Sequence, residues 1–562
     1  MVNLKNPLPI MYLAFLSTML CIGTVKSCNP IDREALLDVR RMLTYDPSQF
    51  FYSLFSDHTT HCCTEWPGID CDPDHGRVVT VSCFIYCHSR TTGTLSPFIG
   101  NLTYLENLDL NNAGNLTGPI PSSLGHLPNL KHLDLGSNKL SGTIPDLFFQ
   151  TSTLMIHLDL SNNQFSGPIP SSIFKLKSLT ELNLQGNRFS GVIPSSIGNL
   201  KNLEYFYLNN NNISGSIPPS IGDLTLLRHL KLDHNRLTGV LPDVIGKLSK
   251  LELLSLSYNN LVGQIPSSFS HLTKLEVLDL STNQLVGPLP SNLDRLPNIS
   301  FLDLSYNSLK LGEIPSWVTK LKNLRILFLA STGVKGELPR LPSSLTFLDL
   351  STNALTGSLP SSIGNMGNLK LLNLSNNKFN SSIPEEFKKI YELKELDLHS
   401  NNFSGSLRNI HDINNTNEGI ISLDVSDNRF TGPIDADIGN KQFMRNIESL
   451  NLSNNLLGGA IPTSIRNMTQ LKELRMAGNG LSGTIPEKLG DVKTLQIISL
   501  LSNSLVGSIP QNLLNLKDLR EFDVSNNRLT GKIPPHKANL PVSGFLGNPG
   551  LCDAPLPSCK FI

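Results

Sequence analysis

Residues 227–242 read Leu-Arg-His-Leu-Lys-Leu-Asp-His-Asn-Arg-Leu-Thr-Gly-Val-Leu-Pro, and residues 251–266 read Leu-Glu-Leu-Leu-Ser-Leu-Ser-Tyr-Asn-Asn-Leu-Val-Gly-Gln-Ile-Pro. The two stand 24 residues apart and share one pattern, L-x-x-L-x-L-x-x-N-x-L-x-G-x-I-P, with Leu for Ile in the first. A fixed beat of this size marks a repeat array. Aligned on its Asn, the unit recurs at Asn138, Asn163, Asn187, Asn211, Asn235, Asn259, Asn283 and Asn307, then at Asn353, Asn377, Asn401, Asn428, Asn455, Asn479, Asn503 and Asn527. A copy between Asn307 and Asn353 carries Thr332 in the Asn slot. An earlier one, Leu105 to Pro121, has an extra residue before Leu116. A partial copy is expected at Val78 to Ile99, so residues 78–534 hold about 18 to 19 units.

The physics of the unit predicts a fold. L-x-x-L-x-L is a short strand whose leucines point inward and whose x residues point out. Copies stacked about 4.8 Å apart make a parallel sheet arcing over about 80 to 90 Å. The Asn amide donates and accepts, so it satisfies backbone groups at the turn and in the next unit. Thr332 cannot span the same bonds. Gly permits a tight bend, and Ile-Pro ends the pairing. Because each unit buries its apolar face against its neighbours, 562 residues form a core without one large globule.

Charge is sparse and balanced, with 46 basic against 46 acidic residues, so no field directs the chain to nucleic acid or an anionic membrane. Lys5, the apolar stretch Leu8 to Gly23 and Val25-Lys26-Ser27 read as a signal peptide over residues 1–27. No further apolar run reaches about 18 residues, so no transmembrane segment is expected. A secreted chain in the extracellular space or cell wall is expected. The eight cysteines left after residue 27 gather at the two ends, where disulfides suit secretion. Ten Asn-x-Ser/Thr sequons add to this picture: Asn101, Asn115, Asn212, Asn298, Asn373, Asn380, Asn402, Asn414, Asn451 and Asn467. Asn373 and Asn451 lie between the paired leucines of their strands and are expected on the concave side.

A stack needs caps. Asn29-Pro30 starts a helix, with Asp32 and Glu34 at its positive end and Ile31, Ala35, Leu36, Val39 and Leu43 on its apolar face. The L-x-G-x-I-P variant, with Cys62-Cys63-Thr64-Glu65-Trp66-Pro67-Gly68-Ile69-Asp70-Cys71 and the closing Leu551-Cys552 to Cys559-Lys560, resembles plant extracellular leucine-rich repeat proteins. These include the polygalacturonase-inhibiting proteins and the ectodomains of leucine-rich repeat receptor kinases. The resemblance implies a leucine-rich repeat solenoid: an α/β superhelix with a parallel concave β-sheet, an added strand beside it and disulfide-bonded caps at both ends. It implies caps over residues 28–77 and 535–562 and the pairings Cys28–Cys62, Cys63–Cys71 and Cys552–Cys559. Cys83 with Cys87 is the remaining pairing, against two free or separately paired thiols.

No zinc spacing, phosphate loop, nucleophile elbow or His-Glu-x-x-His occurs, so neither catalysis, a bound metal nor a cofactor is expected. Asp70, Asp72, Asp74 and His75 read as a solvated turn because no later acidic ligand completes a calcium loop. Recognition would fall to the concave x positions. Asp is the default between the last two leucines, as at Asp134, Asp159, Asp279, Asp303 and Asp349. Tyr207, Lys231 and Phe328 depart from it, and Tyr205, His229, His234, Tyr258, Phe301 and Tyr306 are read on the same strands as ligand-binding residues. The stretch from Arg408 to Gly419 reads as an enlarged convex loop. The expected partner is an extracellular protein or peptide in defence or cell-surface signalling, with a membrane receptor kinase as co-receptor. The alternatives are inhibition of a microbial pectinase, a polygalacturonase, and a structural or ice-binding wall role.

Overall fold

The computed structural model describes residues 28–45, 61–82, 91–149, 153–413, 419–536 and 538–559. The expected signal segment, the Cys83–Cys87 pair and Asn414 lie outside them. The described chain forms two compact units, residues up to 191 and from 192 onward. Among the described residues no helix is long and apolar enough to cross a membrane.

The first unit opens with the helix Pro30–Arg41, whose N-cap Asn29 accepts from Ile31 N–H at 2.9 Å. Two expectations about its faces fail. Ile31 is 61% exposed, whereas Asp32 is fully buried. Leu43 leaves the helix for the strand Leu43–Tyr45, antiparallel to Thr91–Thr94. The reason is Arg77. Its guanidinium grips both Asp32 oxygens at 2.9 Å, Val78 N–H donates to the same carboxylate at 2.8 Å, and the burial of that pair sets the helix rotation. Cys28–Cys62 and Cys63–Cys71 are bonded. In the acidic run, Asp72 Oδ1 accepts from the N–H groups of Asp74 and His75 and closes a local turn. Val78–Ser82 is a true first inner strand. It pairs in parallel with Asn107–Asp109, which pairs with His132–Asp134, then His157–Asp159 and Glu181–Asn183, each in register.

In the second unit the inner sheet runs from Tyr205–Tyr207 to Glu521–Asp523, every neighbouring strand parallel and in register. The strands are short because each must bury only its central leucine, as Leu230, Leu254 and Leu278 do with no exposed surface. An added parallel ladder links Asn212–Ser216, Arg236–Val240, Asn260–Gly263 and Gln284–Leu285. Gly263 shows why glycine is fixed there. Its φ is +79°, and a Cβ would lie 2.9 Å from Val240 Cγ1. In most units a single 3-10 turn after the Pro, such as Pro219–Asp223 or Asp243–Lys247, leads to the next strand.

The Asn ladder is as the pattern requires. Asn259 Nδ2 donates to the carbonyls of Leu232, Leu256 and Ser257, and its Oδ1 accepts from Leu237 N–H. Thr332 keeps one such bond, from Oγ1 to Leu329 O, and Asn353 Oδ1 takes over two N–H groups, those of Thr332 and Val334. The ladder also runs further than the repeats were read. Asn548, in the C-terminal cap, donates to Val524 and Phe545 and accepts from Leu529 N–H. Cys552–Cys559 closes that end.

Candidate recognition face

On the inner strands the first and third residues flank the buried central one, and on most of them both keep some exposure. In the second unit Tyr205 and Tyr207 on one strand meet His229 and Lys231 on the next, in register. Tyr207 Oη lies 2.9 Å from His229 Nδ1, the Tyr205 ring stands edge-on to His229 at 5.1 Å, and Lys231 Nζ sits 5.4 Å from the Tyr207 ring centre. Glu252 draws the group together from one side, 2.6 Å from Arg228 and 3.8 Å from His229 Nε2. Two residues beyond Tyr207, the buried Asn209 has no partner for its Oδ1 among the described residues.

Three of the expected residues are not on strands. His234, Tyr258 and Tyr306 occupy the turn just before the ladder Asn, with φ of 53°, 52° and 55°. That left-handed slot turns the side chain away from the sheet, which leaves Tyr258 and Tyr306 half exposed and stacks Tyr258 on His234 at 4.3 Å. Phe301 and Phe328 meet edge to face at 6.2 Å, apart from the tyrosine cluster. The nine residues therefore form three groups: four on the sheet, three in the turns and a phenylalanine pair.

Counting down the first strand position finds what was missed. Leu253, Val277, Phe301, Ile326, Phe347 and Leu371 are direct register partners across consecutive strands. Of the six, the sequence reading names only Phe301, although Phe347 is aromatic too; the column becomes visible only when one slot is compared between units. Beside it, in the third position, stand Asp279, Asp303, Phe328 and Asp349. Burial, together with the charge of Asp279, pushes Asp303 up to about 6. Burial also raises Asp349.

The sign of that shift gives a prediction. The folded state holds the Asp303 proton to about pH 6, whereas the unfolded chain loses it near 4. Stability therefore falls as pH rises between these values, and the full penalty stands at neutral pH. Asn fills the same slot at Asn373, accepting from Ser375 N–H as Asp303 accepts from Ser305 N–H. Asp303→Asn is expected to raise stability by about 1 to 2 kcal/mol at pH 7.5 and by nothing at pH 4. Denaturant midpoints at the two pH values check it; an equal effect at both contradicts it.

The first unit has its own outward row, Asp109, Asp134 and Asp159 beside His132 and His157. Burial, then Asp159, raises Asp134 to about 6. Burial opposes the charge on His157, but Glu181, 3.1 Å away, outweighs it and the net shift is upward. Burial lowers His132.

Sequon residues Asn373 and Asn451 do lie in the third position of their strands, and Asn451 Nδ2 donates to Asp424 Oδ2 at 2.9 Å. Asn101, Asn298, Asn380 and Asn467 are exposed, while Asn115, Asn212 and Asn402 are half-buried. Of the 408–419 stretch, the described residues 408–413 include a helical turn. That turn, Arg408–His411, buries His411, and Lys441 spans Asp412 at 3.0 Å and Asp435 at 3.7 Å.

Leucine rich repeat family models match residues 177–237, 226–285, 249–309 and 343–403, and further single repeats at 129–150, 155–176, 298–321, 446–468, 470–492 and 518–540. The chain is 32% identical to the Arabidopsis thaliana receptor kinase HAESA ectodomain, solved with an N-terminally extended IDA peptide hormone ligand. The match covers 93% of this chain and 98% of that one, with a TM-score of 0.69. It is also 32% identical to the ectodomain of the Arabidopsis thaliana membrane receptor kinase GASSHO1/SCHENGEN3 in complex with CASPARIAN STRIP INTEGRITY FACTOR 2. There the TM-score is 0.71, and 84% of this chain and 58% of that one are covered. A polygalacturonase inhibitor of Pyrus communis is 33% identical over 127 residues, 22% of this chain and 36% of that protein. The chain spans about a third or less of the length of the curated relatives it matches.

Proposed function

The chain belongs to the plant leucine-rich repeat family, and from that premise we propose that it is a secreted, glycosylated recognition protein that binds an extracellular protein or peptide on the outward face of its inner sheet. The observation that carries this reading is the cluster of Tyr205, Tyr207, His229 and Lys231, which places two phenols, an imidazole and an ammonium on neighbouring strands. The tyrosine rings, with few rotatable bonds, lose little entropy on binding and are favoured anchors. Peptide-bound ectodomains of the same fold support it. A receptor kinase as membrane partner would pass on the signal.

The test is capture from plant cell-wall extract by the mature chain and by the triple variant Tyr207→Ala, Lys231→Ala, Phe328→Ala. Because these side chains project from the sheet, the variant is expected to fold with an unchanged unfolding midpoint and to bind at least tenfold more weakly. Unchanged capture by the folded variant refutes the reading. The polygalacturonase inhibitor likeness supports a second reading, occlusion of a pectinase cleft. Inhibition of a fungal polygalacturonase by the mature chain, lost in the same variant, would favour it over peptide recognition.

A further inference from the structure

We propose that the column Leu253, Val277, Phe301, Ile326, Phe347 and Leu371 is a docking track for an extended segment in which apolar side chains alternate with lysine or arginine. The proposal rests on the recognition reading above and names the chemistry of what is recognised.

Three observations support it. The first is continuity. Six apolar residues occupy one slot on six consecutive strands, each the register partner of the next, with five of them part-exposed and Ile326 buried. Single exposed apolar residues need no explanation, but an in-register column on a face otherwise given to polar groups does. Glu395 ends the column at one side and His229 at the other.

The second is length. Six strands at about 4.8 Å span about 24 Å, which an extended chain covers in about seven residues. Its alternate side chains then fall on the column, and those between turn aside. Phe328, edge-on to Phe301, widens the track at its middle.

The third is charge. The row directly alongside carries Asp279, Asp303 and Asp349, and none of the three forms an ion pair among the described residues. Their bonds are to serines: Asp279 accepts from Ser281 N–H and from Ser257 Oγ, Asp303 from Ser305 N–H and Asp349 from Ser351 N–H. Asp279 and Asp303 are register partners, so two carboxylates face each other with no cation between them. A cationic side chain reaching across from the track would relieve that repulsion, and an anionic one would add to it. The row on the track's other side mixes Glu276, Arg325 and Lys370 and sets no sign of its own.

The probe is a fluorescein-labelled, end-capped heptapeptide, Val-Lys-Leu-Ser-Val-Lys-Leu, set against the same peptide with Glu for Lys and against one with Ser for every apolar residue. Polarisation should show saturable binding of the first alone, lost at least tenfold with Val277→Ser/Phe301→Ser and at least fivefold with Asp279→Asn/Asp303→Asn. Cooperative unfolding verifies that both variants fold, with the Asp303→Asn change expected to raise the midpoint at neutral pH. Binding should also weaken between pH 7 and pH 5, as Asp303 takes up its proton. No binding, equal binding of the Glu peptide, or affinity indifferent to both variants overturns the inference. The recognition reading fails on its own terms: a track variant that still captures the cell-wall partner defeats only the track, whereas loss of capture confined to the Tyr207, Lys231 and Phe328 variant upholds recognition without it.

Discussion

Asp32→Ala is expected to destabilise the first unit by about 3 to 5 kcal/mol. The carboxylate is fully buried and holds three donors: Arg77 Nε and an Arg77 terminal nitrogen, each at 2.9 Å, and Val78 N–H at 2.8 Å. Removing it strands a largely buried guanidinium and a strand N–H at the place where the capping helix meets the first inner strand. Arg77 cannot swing out freely, since it lies 4.5 Å over the Tyr104 ring and donates to Thr103 Oγ1. The pair is therefore far from a surface bridge worth under about 1 kcal/mol. The double variant Asp32→Ala/Arg77→Met should recover most of the loss, because no unpaired charge remains buried. Thermal unfolding of both variants decides it: a single variant within about 1 kcal/mol of the parent would mean that water reaches the pair.

Asn259→Ala should cost about 4 kcal/mol. The substitution orphans the N–H of Leu237 and removes one of two donors from each of the carbonyls of Leu232, Leu256 and Ser257, which keep Asn235 Nδ2, Asn283 Nδ2 and His234 N–H, all in the buried turn region. The orphaned N–H costs about 1 to 3 kcal/mol unless it relaxes toward water, and each of the three lost bonds adds about 0.5 to 1 kcal/mol. Because units couple mainly to their neighbours, the damage should stay local. Amide exchange at Leu237 should rise at least a hundredfold, with little change at Leu529, whose N–H is held by Asn548 at the far cap. Uniform acceleration along the chain would contradict a nearest-neighbour solenoid. Thr332 supplies the natural comparison. It keeps one carbonyl contact, and its backbone is rescued by Asn353.

The repeat was legible because its physics is periodic. One Asn per 24 residues, with leucines on the alternate positions, admits few other structures. The cap disulfides came from resemblance, and the structure pairs the same cysteines. What escaped reading was non-periodic or two-dimensional. Asp32 looked like a helix-dipole residue because its partner, Arg77, lies 45 positions away. Asn548 follows Asn527 at 21 residues, off the beat. His234, Tyr258 and Tyr306 were placed on strands because the sequence does not mark where a three-residue strand stops. The apolar column was invisible along the chain, since no two of its members are closer than 21 residues.

The ladder also bears on how long the molecule lasts. Asn479 is the one ladder asparagine followed by glycine, the pairing at which an asparagine side chain is most readily attacked by the next backbone nitrogen and hydrolysed to aspartate. Its Nδ2 points at three carbonyl oxygens, those of Leu452, Met476 and Ala477, at 2.9 to 3.3 Å. Ageing there would set a negative oxygen against three others, so the same bonds that hold the turn closed also slow the reaction that would open it, and chemical wear at this residue becomes a clock for how often the stack breathes.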